Sequence, residues 1–365
     1  TVTWNTAGAR TVSVNYTNSN GCTATTPVIY NVTVNPLPVP TITGPSNVCA
    51  GSTGNVYISE PGMTNYIWTV SAGGAITSGG TSSSNTVTIT WNTVGPQTVS
   101  VSYTSLGCSA ATPTIYNVTV NTVPVPTLTG PLSACVGSTG NIYATDPGMT
   151  NYIWTVSGGG TITAGGGTGD NTATVTWNST GSQTVSVMYT NSNGCTAPGT
   201  PTTLNITVNP LPNPTISGPN SVCVGSTGNL YTTQSGMSNY LWTVVGGTIS
   251  AGGGTGNNSV TVTWNTTGAQ SVSVNYTNGN GCTAASSTTY NVNVTPLPVP
   301  TISGPTPVCA GSINNVYTTQ AGMTNYQWIV SSGGTITAGG GAGNNTVTVT
   351  WNTAGARTVS VNYTN

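Results

Sequence analysis

Apolar and polar residues alternate with a period of two along most of this chain. In the segment 86–91, Val87, Ile89 and Trp91 share one face, and Thr86, Thr88 and Thr90 share the other. The segment 98–103 repeats the pattern with Val99, Val101 and Tyr103, and 115–120 repeats it with Tyr116, Val118 and Val120. Residues 66–70 group Tyr66, Trp68 and Val70. Such alternation predicts half-buried strands. Shorter strands are expected at 41–43, 55–59 and 75–77. No segment carries a 3.6-residue apolar stripe, and Val and Thr disfavour helix. Seven short strands punctuated by Gly, Pro, Asn and Ser predict an all-β sandwich.

The sandwich recurs. A Trp-Asn-Thr/Ser motif begins at Trp4, Trp91, Trp177, Trp264 and Trp351, in steps of 87, 86, 87 and 87 residues. A Pro-x-Pro-Thr segment recurs at 38–41, 124–127, 212–215 and 298–301. Taken as boundaries, these segments define three complete modules, 38–123, 124–211 and 212–297. Residues 1–37 read as the tail of a preceding copy, and 298–365 as a copy lacking its last strand. Residues 1–18 and 348–365 are identical, which points to a higher-order unit of four modules. The sequence opens in mid-pattern, so we expect an internal piece of a longer protein. Either that chain continues in both directions, or neighbouring chains complete the partial modules by donating strands. A Pro-rich linker such as 35–40 favours a stiff, extended path and therefore an extended rod.

Composition narrows function sharply. The only charged residues are Arg10, Glu60, Asp146, Asp170 and Arg357, and there is no His. General acid–base catalysis has almost no candidate groups, so an enzyme is not expected. Zinc and calcium sites lack their usual ligands, and no cofactor is expected. Asp146 and Asp170 could hint at calcium, but the matching positions in the following modules are Gln and Asn. Two Arg cannot build a basic patch for nucleic acid. No apolar run approaches the length of a membrane span. The Gly-rich run 165–169 has no following helix and reads as a hairpin, not a phosphate loop. Asn31 and Asn117 open glycosylation sequons, which the Asn/Thr-rich composition explains without glycans. Edge strands are commonly guarded by charge, and here that guard is missing. Lateral or end-on association with further copies is therefore expected. With so few ionisable groups, stability should vary little between pH 3 and 9 and depend weakly on salt.

Two Trp sets recur, Trp68, Trp154, Trp242 and Trp328 on the third strand, and Trp91, Trp177, Trp264 and Trp351 at the end of the fifth. Their register assigns both to the core, against the alternative of an exposed aromatic platform for sugars. Tyr66-Ile67-Trp68, a Gly-rich turn, the run 87–91, Gly95, Val99-Ser100-Val101 and Gly107-Cys108 together resemble the PKD-like, immunoglobulin-like domains. The closest likeness is to the Thr/Asn/Gly-rich repeats of giant Bacteroidota surface proteins. That resemblance covers every module. It implies an extracellular, stalk-forming sandwich at the cell surface, often part of an adhesin exported by the type IX system. It implies no catalytic or ligand site.

The eight cysteines form two classes. Cys49, Cys135, Cys223 and Cys309 precede the second strand, and Cys22, Cys108, Cys195 and Cys282 follow the sixth. Three states are open: pairing within a module (Cys49–Cys108, Cys135–Cys195, Cys223–Cys282), pairing between modules, or free thiols. In a sandwich these two positions lie at opposite ends, roughly 20 Å apart, whereas a disulfide needs Cα atoms within about 7 Å. Head-to-tail stacking would pair Cys49 with Cys195 and Cys135 with Cys282. Cys22, Cys108, Cys223 and Cys309 would then reach modules outside 1–365. The leading expectation is a structural stalk or filament whose partners are adjacent repeats and other copies of the chain. The alternative is an adhesive module that grips glycans or surfaces through outward Thr rows, such as Thr88 and Thr90, or through aromatics.

Overall fold

The computed structural model describes residues 1–197 and 199–364. It is built of strands and turns, and among the described residues no helix is long and apolar enough to cross a membrane. The chain divides into two compact units, Thr1–Asn209 and Pro210–Asn365.

The module at 38–123 shows how the sequence becomes a sandwich. One sheet orders Asn47–Cys49, Thr114–Asn121, Gly95–Ser105 and Thr64–Val70, with a two-residue strand Cys108–Ser109 hydrogen-bonded to Gly95–Ser105. The other orders Asn55–Ile58, Thr86–Trp91 and Gly74–Gly79. All pairings are antiparallel except Asn47–Cys49 on Thr114–Asn121, which is parallel. The same two-sheet plan recurs at Ser133–Asn209 and Ser221–Thr295. In the second unit, Asn315–Thr318, Thr346–Trp351 and Gly334–Gly339 form the small sheet of a further module, whose large sheet has two strands, Thr324–Val330 and Val359–Thr364. Near the start of the first unit, Gly8–Val14 and Val28–Val34 form a hairpin.

Alternation decides which side chains go inside. Along Thr86–Trp91 the pattern is strict: Val87, Ile89 and Trp91 are fully buried while the three Thr are half-buried. Tyr57, Val99, Val101, Val118 and Val120 close the same core. The cores at 124–209 and 212–295 are built alike and separately. Polar atoms inside are paired. Asn55 Nδ2 donates to the carbonyls of Ser52 and Ile89, both at 3.0 Å, and Asn141, Asn229 and Asn315 do the same in their modules. Among the described residues, no buried side-chain nitrogen or oxygen lacks a partner.

Two local features depart from the sequence reading. The expected strand at 41–43 is a single bridge, Thr43 to Ile58. The strand actually formed is Asn47–Cys49, six residues further along. The physical reason is its partner: a three-residue segment has too little alternation to register, and its pairing with Thr119–Asn121 is non-local. Also, Thr64–Val70 carries a bulge between Thr64 and Ile67, with Asn65 at φ 54°. Asn tolerates this left-handed region better than most residues. The same bulge recurs at Asn151, Asn239 and Asn325.

Candidate functional site

The feature with most chemistry is the joint between consecutive modules of the first unit. Asn191 builds one side of it. Its Oδ1 accepts the backbone N–H groups of Asn193 and Cys195, both at 3.0 Å. Its own N–H donates to the Cys195 carbonyl at 2.9 Å. Gly194 supplies the positive φ of 77° that the turn needs. Asn191 Nδ2 donates to the Thr122 carbonyl at 3.0 Å, which ties the loop to the linker. Cys195 is thus held rigidly and is completely buried. Asn18 and Asn278 organise the same loop around Cys22 and Cys282. The loop before Cys108 is one residue shorter and turns through Leu106 at φ 49°. There Asn35 Nδ2 donates to the Leu106 carbonyl at 3.0 Å.

Cys49 forms the other side. It ends the short parallel strand, where Ala50 N–H donates to the Asn121 carbonyl and Ser52 N–H to the Cys49 carbonyl. Cys49 and Cys195 form a disulfide with Cα atoms 5.6 Å apart. One cysteine belongs to 38–123 and the other to 124–211, so the bond crosses the joint. Cys49 is therefore not bonded to Cys108, which is a free thiol along with Cys22, Cys223 and Cys309. Cys135 and Cys282 are not free thiols.

A second device fixes the chain as it enters each module. The Glu60 carboxylate accepts from Thr41 N–H at 3.0 Å, from the Thr41 hydroxyl and from the Ser59 hydroxyl at 2.8 Å. Asp146 accepts from Thr127 N–H and hydroxyl, both at 2.8 Å, and from the Tyr189 hydroxyl at 2.7 Å. Gln234 and Gln320 take the same place against Thr215 and Thr301. Burial would raise the Glu60 carboxyl, but the Thr41 hydroxyl and the further donors outweigh it and hold the group near 2. Asp146 is lowered chiefly by the Thr127 N–H and then by the Tyr189 hydroxyl. These donors occupy the carboxylate oxygens, and a neutral amide serves as well in the other modules, so the position clamps the linker. Asp170 Oδ2 accepts the Gly167 N–H within its hairpin. Among the described residues, no group of three His, Cys, Asp or Glu is placed to hold a metal ion.

A family model described as the PKD-like domain matches residues 35–118, 121–206, 209–292 and 295–365. The chain belongs to the PKD-like domain family. No curated protein matches it significantly. Among solved structures, the human desmocollin-1 ectodomain aligns over 97% of this chain and 84% of its own, at 11% identity and a TM-score of 0.27. Invasin, a bacterial integrin-binding protein, aligns over 90% and 79%, at 16% identity and 0.28. The ICAM-5 D1–D4 fragment aligns over 89% and 97%, at 13% identity and 0.29. Scores this low carry no functional argument.

In these PKD-like modules the aromatic residues are spent on the interior. Trp91, Trp177 and Trp264 are fully buried, Trp351 nearly so, and Trp68, Trp154, Trp242 and Trp328 are buried against the same cores. Trp91 Nε1–H donates to the Tyr57 hydroxyl at 3.0 Å, which donates to the Pro45 carbonyl at 2.9 Å. Trp68 Nε1–H donates to the Ser84 carbonyl at 2.9 Å. The entry clamp and the Asn191 loop are absent from the sequence reading above. The loop had a signal, since Asn-x-Asn-Gly is strong turn chemistry. The clamp had only a recurring Glu/Asp/Gln nineteen residues after a linker Thr.

Proposed function

We propose that this chain is a non-catalytic structural segment of an extracellular surface protein, a stalk or filament in which modules stack head to tail. The observation that carries the reading is the Cys49–Cys195 bond across a module joint. A cross-link placed between two separately cored modules adds nothing to either core, but it removes freedom from the joint. The linker clamp and the loop bond to Thr122 act in the same direction. Disulfides persist in oxidising compartments, which supports an extracellular address. The resemblance to Bacteroidota surface repeats supports a type IX-exported, adhesin-borne stalk at the cell surface.

Lateral association is part of the reading. Ile67, Ile153 and Leu241 point outward from equivalent strand positions and are 64%, 56% and 63% exposed. Val56, Ile142, Leu230 and Val316 are exposed at another repeated position. An outward apolar side chain recurring from module to module, in a chain with only five charged residues, favours side-by-side packing. The test is electron microscopy of purified chain under oxidising conditions. Uniform stiff particles or fibres are expected, and strings of independently oriented modules would overturn the reading.

A further inference from the structure

The sequence lacks the charges that commonly guard sheet edges, yet the edges of a module are closed in other ways. In the module at 38–123 the large sheet ends at Asn47–Cys49 and Thr64–Val70, and the small sheet at Asn55–Ile58 and Gly74–Gly79. An open edge offers a row of unpaired N–H and C=O groups to any strand that can lie beside it. The first three edges offer little. Asn47–Cys49 is three residues long, as are Ser133–Cys135 and Ser221–Cys223. Asn55–Ile58 is four residues long, and its last residue is already occupied, since Thr43 and Ile58 exchange both backbone bonds at 2.9 Å. Thr129 with Ala144 and Ser217 with Thr232 do the same. Thr64–Val70 is longer, but the hairpin turn of the opposite sheet lies over it. The Ser82 carbonyl accepts the Tyr66 N–H at 2.9 Å, beside the bulge at Asn65. Thr168, Thr255 and Ala342 cover Tyr152, Tyr240 and Tyr326 in the same way.

The fourth edge is different. Gly74–Gly79 is six residues long and reads GAITSG, and its counterparts read GTITAG, GTISAG and GTITAG. None of them holds a charge or a Pro. Ile76, Ile249 and Ile336 on these strands are 44%, 41% and 42% exposed. An uncharged edge with exposed β-branched side chains is the kind that other strands join. What this edge does carry is one residue too many. Ala75 and Ile76 pair with Thr90 and Ile89, and Ser78 pairs with Thr88, so Thr77 stands opposite no residue. The register breaks at the same place around Thr163, Ser250 and Thr337.

The extra residue is pinned. The Thr77 hydroxyl donates to the Thr88 carbonyl at 3.2 Å, and the Thr163 hydroxyl to the Thr174 carbonyl at 3.3 Å. The Ser250 hydroxyl donates to the Thr261 carbonyl at 3.2 Å, and the Thr337 hydroxyl to the Thr348 carbonyl at 3.3 Å. β-Propensity accounts for a Thr in a strand but not for the Ser, which drops the methyl and keeps the hydroxyl. The pinning bond is what the four positions share. A bulge interrupts the ladder, bends its strand and sharpens the local twist, so a regular strand cannot follow it.

We propose that this hydroxyl-pinned bulge is a guard: it stops a second copy of the chain from adding a strand at Gly74–Gly79 and its counterparts, and so confines lateral contact between copies to sheet faces. The same edge of another copy is the joining strand to be kept out, because it carries the same backbone row and no charge to repel its twin. The confinement to faces deepens the lateral part of the filament reading and rests on it. The guard itself stands without that reading.

The test compares the 365-residue chain with a variant from which Thr77, Thr163, Ser250 and Thr337 are deleted. The deletion leaves an unbroken register of single pairs on each of these strands. Circular dichroism and Trp fluorescence establish that the variant is folded. With rising concentration it should gain thioflavin T fluorescence and an amide I band of intermolecular sheet, and the parent should gain neither. Restoring a guard by charge should abolish both signals. Ser78→Lys, Ala164→Lys, Ala251→Lys and Ala338→Lys on the deleted chain do so at exposed positions. Should the deletion prevent folding, Thr77→Val, Thr163→Val, Ser250→Ala and Thr337→Val keep the extra residue and remove its pin. Thioflavin T fluorescence of that chain should rise above the parent's. No rise in a folded variant, or a rise that Lys leaves untouched, would overturn the proposal. In any particles the parent forms, the amides of 74–79 should exchange hydrogen as fast as in the dispersed chain. Protection there would overturn the proposal and leave the filament reading standing. A parent that stays dispersed beside a deleted chain that assembles would remove the lateral part of that reading and support the guard.

Discussion

At the scale of single residues, three carboxylates do little besides hold backbone. Glu60 and Asp146 sit where Gln234 and Gln320 sit in other modules, and all four receive a linker Thr. The charge changes only the pH response. The Glu60 carboxyl falls from an ordinary 4.5 to about 2 because its donors outweigh its burial, and Asp146 is also lowered, first by the Thr127 N–H. A group depressed on folding contributes stability that is present above its unfolded value and lost as pH falls through the folded one. Melting temperature should stay level from pH 5 to pH 9, then fall between about pH 4.5 and 2. Paired Glu60→Gln and Asp146→Gln substitutions should flatten that fall in a scan of melting temperature against pH. The flat window expected from composition thus narrows at its acid end. At the alkaline end, burial and then the nearby Glu60 carboxylate push the Tyr103 phenol up to about 12, so its contribution is present below 10 and lost as pH rises past that.

At the scale of elements, the turn from Gly74–Gly79 into Thr86–Trp91 depends on a glycine that the strand pattern hides. Gly79 has φ 68°, and a Cβ there would stand 2.4 Å from the Thr86 carbonyl oxygen. Gly165, Gly252 and Gly339 make the same close approach. Replacing all four with Ala should cost about 1–3 kcal/mol per module from the backbone alone. A lowered urea midpoint by Trp fluorescence is the readout. Gly158→Ala meets no neighbour within 4 Å and should leave the midpoint unchanged. This contrast shows what a sequence can carry. The alternation 86–91 names its strand and its inward face, because each residue there is decided by its immediate neighbours. The bulge at Asn65 and the strand Asn47–Cys49 are decided by partners far along the chain, and nothing local marks them. The joint is intermediate. The Asn191 turn is written in its own residues, whereas the meeting of Cys49 and Cys195 depends on how one module follows another.

At the scale of the whole molecule, the Cys49–Cys195 bond matters most when the chain is pulled from its ends. Tension entering at residue 1 passes along the backbone to Cys49, crosses the disulfide to Cys195 and continues from there. The 146-residue separation between the two cysteines is removed from the load path. While the bond holds, the segment between Cys49 and Cys195 cannot be drawn out to its full contour. A chain built this way gains little length under force, since the cross-link limits how far it can be drawn out rather than making any module intrinsically stronger. An extended chain spans about 3.3–3.6 Å per residue, so the hidden length for this bond is on the order of 500 Å. Single-molecule extension of the oxidised chain should fall short of its full contour by at least that amount. Adding reductant should release it as additional unfolding steps. Full extension of the oxidised, unsubstituted chain would mean that the bond does not carry load, and the mechanical argument for a stalk would fail with it.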